Sequence, residues 1–351
     1  MKVSPMLRPF LITLIFFATQ LLLLSASARA HVGTGIDLDR QGRIVFVDTL
    51  HNRIWRLGAD ATLTALAQDM HLDVLIVGDD GNVYVIKEGI WRITTPGNVT
   101  EVFRSADAPN EIGRPFAVDR QTNIYFTNGD IQLKRKSQIY SRTPEGKISL
   151  LAGSDWGHQD GKGPEAKFGR VNSAAWGPDG SLYVLDEEQR IRKIERDGKV
   201  STLAHSQEAC YAEGAEERFV RTMGLAVDAE SNLYVANYWK RVVFKLSPQG
   251  MVTTVLSSSW PWAPVGVAVL GNDVYVVERM GNPYGPSTLL QVSTLEDRLG
   301  SPRIRKVSTD GKVITLAVVK GERGLAVIIL PFGVAVLAVF AWRIRRKRRR
   351  K

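Results

Sequence analysis

Along the stretch Gly180–Ala204, apolar residues fall on alternate positions. Leu182 and Val184 share one face of an extended segment, and Tyr183 and Leu185 share the other. The alternation breaks at Asp186–Gln189, resumes over Arg190–Ile194, breaks again at the hairpin dipeptide Asp197-Gly198 and resumes over Val200–Leu203. Just upstream, the small apolar run Ser173–Trp176 leads into the turn Gly177-Pro178-Asp179-Gly180. The pattern predicts four short antiparallel strands joined as a meander.

The same pattern returns along the chain. Its second-strand marker stands at Val45, Tyr84, Tyr125, Tyr183, Tyr234 and Tyr275, with steps of 39, 41, 58, 51 and 41 residues. An apolar inner run precedes each marker: Ile36–Leu38, Leu75–Val77, Phe116–Val118, Ala174–Trp176, Leu225–Val227 and Val267–Val269. A third strand follows each, carrying Ile54, Ile90, Ile139, Ile191, Val242 or Ile304, and then a fourth, clearest at Gly198–Leu203, Gly250–Val255 and Gly311–Leu316. Six copies of four strands at a period of about 40 residues predict an all-β, six-bladed β-propeller of four-stranded antiparallel blades.

The run Gly177–Asp186, with Arg190–Ile194, Gly198–Leu203 and the upstream Asp160–Phe168, resembles the NHL repeat. The resemblance covers roughly residues 34–319 and weakens in the second and third copies. It implies a propeller of a kind that includes binding modules, lyases and lactonase-like hydrolases, so it bears on fold more than on activity.

The two ends carry targeting signals. Lys2 and Arg8 precede the apolar run Phe10–Leu24, and Ala28-Arg29-Ala30 is the small-x-small pattern of a signal peptide, so residues 1–30 are expected to be a leader cleaved after Ala30, an uncleaved anchor being the alternative. Gly324–Trp342 contains no charge and is long enough, at about 28 Å as a helix, to cross a membrane. Eight of the last nine residues, 343–351, are Lys or Arg, which places that end in the cytoplasm. The expected organisation is a leader (1–30), a propeller (31–322) facing the periplasm or extracellular space, a single transmembrane helix (323–342) and a basic cytoplasmic tail (343–351). The tail is also similar to a tripartite PEP-CTERM sorting signal that is later removed, although the Pro-Glu-Pro element is absent.

These ends account for the basic charge. The chain carries +10, of which residues 1–30 contribute +3 and residues 343–351 contribute +8, leaving −1 over residues 31–342. A domain with that balance offers nucleic acid no general basic face, and none is expected as a partner. The single cysteine, Cys210, permits no internal disulfide, so packing alone holds the propeller.

Candidate chemistry gathers on the face where the inner strands begin and the central channel opens, here the upper face. The channel-lining position before each inner run is Thr34, Asp73, Arg114, Asn172, Met223 or Val265. Gluconolactonase-like relatives of the repeat bind a divalent cation through a Glu of the first blade and an Asn and an Asp of later ones. By that resemblance Asn172 matches, while Thr34 replaces the Glu and Met223 the Asp. Asp73, Asn172 and the nearby His71 remain as candidate ligands, with the cation Arg114 in the same ring. All five histidines, His31, His51, His71, His158 and His205, map to this face or its approaches; a zinc site like that of the amidating lyases and ordinary polar loops are the two readings. Trp156, Trp239, Trp260 and Trp262, with Tyr211, Tyr238 and Tyr284, fall in connections there, and Arg170 and Arg221 flank Arg114 at the rim. This combination suits a protein, glycan or anionic small-molecule ligand. The expectation is a membrane-anchored binding or interaction module without a cofactor. The alternative is a metal-assisted hydrolase or lyase at the upper mouth of the channel.

Overall fold

A computed structural model describes residues 35–48, 51–68, 74–78, 80–86, 89–104, 113–119, 121–128, 135–186, 190–205, 222–280 and 302–319. These residues form six antiparallel sheets, each taken from one continuous stretch of chain. Blade 1 is β1 (Ile36–Leu38), β2 (Ile44–Asp48), β3 (Arg53–Leu57) and β4 (Leu63–Ala67); blade 2 is β5 (Val74–Val77), β6 (Val83–Ile86), β7 (Gly89–Thr95) and β8 (Asn98–Arg104). Blade 3 is β9 (Gly113–Val118), β10 (Ile124–Asn128), β11 (Lys136–Arg142) and β12 (Ile148–Asp155). Blade 4 adds a two-residue outer strand, β13 (Gly161–Lys162), to β14 (Val171–Trp176), β15 (Leu182–Asp186), β16 (Arg190–Ile194) and β17 (Lys199–His205). Blade 5 is β18 (Thr222–Val227), β19 (Leu233–Asn237), β20 (Val242–Leu246) and β21 (Val252–Ser257), and blade 6 is β22 (Trp262–Leu270), β23 (Asp273–Met280), β24 (Arg303–Val307) and β25 (Val313–Val318).

The first strand of each blade is innermost. β1 contacts β5, β5 contacts β9, β9 contacts β14, β14 contacts β18, β18 contacts β22, and β22 returns to β1. Among the described residues the ring therefore closes by packing between blades 6 and 1, with no strand exchanged across the joint. The core is divided accordingly into six apolar clusters, one at each joint between neighbouring blades. The cluster at the closure joins Ile36, Phe46 and Leu57 of blade 1 to Val265, Tyr275, Val277 and Ile304 of blade 6. The second-strand markers, Val45 and the five tyrosines, lie at these joints; Val45 is wholly buried.

Two features refine the sequence reading. Every pairing of third with fourth strand shifts register at the same place, after Ile54, Ile90, Ile139, Ile191, Val243 and Ile304. A bulge of this kind increases the local twist that the outer strands of a propeller blade need. In blade 5 the buried residue is Val243, opposite Ala236, rather than the expected Val242, because alternation about that pairing turns Val242 only half inward. Blade 4 also departs from four strands: the segment Asp160–Phe168 leaves blade 3 and straps the outer edge of blade 4, pairing Gly161 with Val200 and Lys162 with Lys199. The expected leader 1–30 and the expected membrane helix 323–342 lie outside the described residues; among the described residues no helix is long and apolar enough to cross a membrane.

Candidate active site on the upper face

The second strands end at the upper face, and their last residues form the most unusual feature of the described structure. Asp48, Asp186, Asn237 and Glu278 each stand three residues after the marker of their blade, and each is wholly buried. Asn128 holds the same place in blade 3. Burial of a carboxylate is tolerated only with compensating donors, so the surroundings of each decide what it does.

In blade 1 the donors come from the β2–β3 connection and from β3. The backbone N–H of His51 donates to Asp48 Oδ1 at 3.2 Å, and the His51 ring nitrogen Nδ1 lies 2.6 Å from Oδ2. The indole Nε1 of Trp55 donates to the same Oδ2 at 3.3 Å. A carboxylate only accepts, so Nδ1 carries a hydrogen, and in the neutral form of the ring Nε2 is the acceptor. The His51 side chain retains 25% of its exposure, against none for Asp48. A buried acid thus fixes the tautomer and orientation of an accessible imidazole.

In blade 4 the corresponding acid serves the fold. Asp186 Oδ2 accepts from Arg192 Nη1 at 2.8 Å, both side chains being fully buried, and Oδ1 accepts from the backbone N–H of Gly169 at 2.8 Å. Arg192 also donates to the carbonyls of Lys167 and Gln159 and to Asp160, and its guanidinium lies over the Phe168 ring at 5.0 Å. Asp160 in turn accepts from the N–H and hydroxyl of Thr202. Burial pushes the Asp160 carboxyl up, but the Thr202 donors and Arg192 outweigh it and hold the group below its ordinary range. His158 Nδ1 stands 3.3 Å from Asp186 Oδ2, at the edge of this network.

Blade 6 places Glu278 beside Arg303 and Arg305, through Oε2 in both cases; among the described residues Oε1 has no hydrogen-bond partner, and neither has Nδ2 of Asn237 in blade 5. Arg303 is sandwiched against Trp262, 4.2 Å from the ring centroid. Trp260, in the connection from blade 5, is 66% exposed.

Of the residues expected from the sequence to bind a ligand, Trp262 is brought onto Arg303, Trp239 lies half-buried in the β19–β20 turn, and Arg170 is half-buried before β14 with its Nε lacking a partner. Arg114 and Asn172 are placed by their strands alone, in β9 and β14. Asp73, His71 and Arg221 lie outside the described residues. Met223, where the resemblance puts an aspartate, lies half-buried in β18 and packs against the core of the closing joint. A thioether is a poor ligand for a hard cation. Among the described residues, no three His, Cys, Asp or Glu side chains converge as a metal site. Among the described residues, therefore, no set of side chains fits a divalent ion. The strand-end acids were missed by a reading that looked to the inner strand, yet the signal was present: the residue three after the marker is Asp, Asn or Glu in five of six copies.

Among solved structures, a luciferin-regenerating enzyme superposes with a TM-score of 0.53 at 17% identity, over 79% of this chain and 91% of that one. A gluconolactonase from Xanthomonas campestris gives 0.51 at 18% identity, over 71% and 82%, and a streptogramin B lyase gives 0.51 at 14%, over 83% and 84%. At such identities each likeness shows the fold alone. No curated protein sequence matches the chain. A family model described as the SMP-30/Gluconolactonase/LRE-like region matches residues 32–275, most of the propeller, while the NHL character of Gly177–Leu203 stays a resemblance. The chain belongs to the SMP-30/gluconolactonase/LRE-like family of propellers.

Proposed function

We propose that the protein is a small-molecule hydrolase or lyase whose acid–base group is His51. The observation that carries the reading is the Asp48–His51 pair at 2.6 Å, with the acid wholly buried and the imidazole accessible. Fixing Nδ1 leaves Nε2 to take a proton from water attacking a carbonyl, or from carbon next to a leaving group, and a histidine so placed contributes about 10²–10⁴-fold. Family membership supports a small-molecule site at the upper mouth, and Arg303 with Trp262 and Trp260 supplies a cationic and aromatic wall there. The test is hydrolysis of a panel of aldonolactones and simple lactones by the full chain, followed by acid release. Turnover that falls at least about 100-fold in His51→Ala supports the reading; turnover equal in the variant, or none with any panel member, overturns it.

A second reading is a binding module. Met223 in place of an acidic ligand, together with the exposed Trp260, favours recognition without turnover. The sequence of the two ends supports export, with the propeller outside the cytoplasmic membrane, anchored through residues 323–342. Protection of the connection 279–302 from protease in intact membranes would support an upper face turned toward the bilayer; free cleavage there would count against it.

A further inference from the structure

The lower face carries a cavity of about 320 Å³ between blades 3 and 4, on the opposite side of the propeller from His51. Its apolar wall is Trp176 and Tyr125, packed edge-to-face with centroids 5.0 Å apart, backed by Leu182 and Ile194. Its polar rim is Gln121, Glu195 and Arg196. Asp119 also reaches the cavity, but its oxygens already accept from the N–H groups of Gln121 and Asn123, the Asn123 amide and the Tyr125 hydroxyl. The Trp176 indole N–H is likewise committed, to the Val118 carbonyl at 2.9 Å. What remains for a ligand is an aromatic surface with three polar side chains around it.

The repeat supplies an internal control. At the position of Trp176, the inner-strand residue paired with the one just before the marker, the other blades have Leu38, Val77, Val118, Val227 and Val269. The turn residue whose N–H bonds the carbonyl four residues on is Glu195 in blade 4, but Gly58, Thr143, Ser247 and Ser308 in blades 1, 3, 5 and 6. The next residue is Arg196 here and Ala59, Pro144, Pro248 and Thr309 there. One blade therefore replaces three ordinary residues at once, and all three replacements line the one cavity. Arg196 is seated as well as present: its guanidinium lies across the Cα of Gly180, where any Cβ would strike its Nε, Cζ and Nη2. Gly180 holds φ at +74°, a conformation that itself favours glycine.

We infer that this cavity is a binding site for a neutral sugar ring. An aromatic platform receives the C–H face of a pyranose, and a carboxylate, an amide and a guanidinium together accept from and donate to its hydroxyls. The charges at the cavity balance, Asp119 and Glu195 against Arg196 and the Lys199 ammonium 3.6 Å from Glu195 Oε1, which suits an uncharged polyol over an anion or a cation. The volume lies in the range of sites that enclose a small ligand.

The probes are glucose, galactose, mannose, cellobiose and maltose, presented to the full chain in detergent and read by saturation-transfer NMR and by quenching of tryptophan fluorescence. Trp176→Val and Arg196→Pro install residues the other blades already use at these places. At least one sugar is expected to bind, with Kd rising about tenfold in Trp176→Val and several-fold in Arg196→Pro, and with no change in His51→Ala. Absence of binding by all five, or binding of equal strength in both variants, overturns the inference. Should Trp176→Val unfold, the exposed Arg196→Pro variant decides by itself.

Discussion

Blades 1 and 4 present the same buried aspartate at the end of the same strand and use it in opposite ways. The residue facing each aspartate from the third strand sits at one repeat position, opposite Phe46 as Trp55 in blade 1 and opposite Val184 as Arg192 in blade 4. A guanidinium matches the whole charge of Asp186 and fixes the Asp160–Phe168 strap as well. An indole offers Asp48 a single neutral donor, and the imidazole of His51 completes the set. One substitution within a repeat thus separates an acid that builds the fold from an acid that orients an accessible base.

The comparison breaks first at Arg192. Arg192→Ala leaves Asp186 buried without its counter-ion, and chemical denaturation should show a loss of about 3–5 kcal/mol. A loss below about 1 kcal/mol would mean that blade 4 does not depend on the pair. Next comes the strap: Asp160→Ala removes the acceptor of Thr202 and Arg192, costing about 1–2 kcal/mol and raising hydrogen exchange at Gly161 and Val200.

A smaller effect is expected where blade 1 meets blade 2. Asp37 accepts from the N–H of Val77 and of Leu38, both at 2.8 Å, yet burial outweighs these bonds and pushes its carboxyl up from 3.8 to about 6. The folded value is raised, so the stability this group contributes is full below pH 3.8 and is lost as pH rises through about 6. Asp37→Asn should flatten the dependence of melting temperature on pH in that window and raise stability at pH 7 by on the order of 1 kcal/mol. An unchanged profile would place Asp37 outside it. The smallest change in stability belongs to His51→Ala, on the order of 1 kcal/mol because the backbone N–H of residue 51 and the Trp55 indole still donate to the buried Asp48, and it sharpens the comparison because the larger loss it causes is in turnover.

How far the sequence reached can be followed through individual residues. The markers at Tyr84, Tyr125, Tyr183, Tyr234 and Tyr275 locate blades because a short apolar run bounded by turn residues is a local pattern, which burial of the second strands on both faces imposes. The lower turns were equally legible: in Asp39, Asp119 and Asp228 one carboxylate oxygen caps the backbone N–H groups two and four residues on. The strap was visible as a motif but not as a strand, since its partner, Val200, lies 39 residues beyond Gly161. The buried acids at Asp48, Asp186 and Glu278 lie one strand outward from the ring expected on the inner strands, so a pattern sought just before each inner run does not reach them.

Sequence alone determined the repeat, the number of blades and the charge balance of the propeller, all of which follow from patterns within about 40 residues. It also contained the Asp48–His51 spacing and the odd residues Trp176, Glu195 and Arg196. Only the tertiary structure decided that Arg192 meets both Asp186 and Asp160, that Met223 packs against the core of the closing joint, and that blades 3 and 4 leave a cavity between them. Those outcomes depend on which side chains face each other across two blades, a relation that packing fixes and that no local pattern encodes.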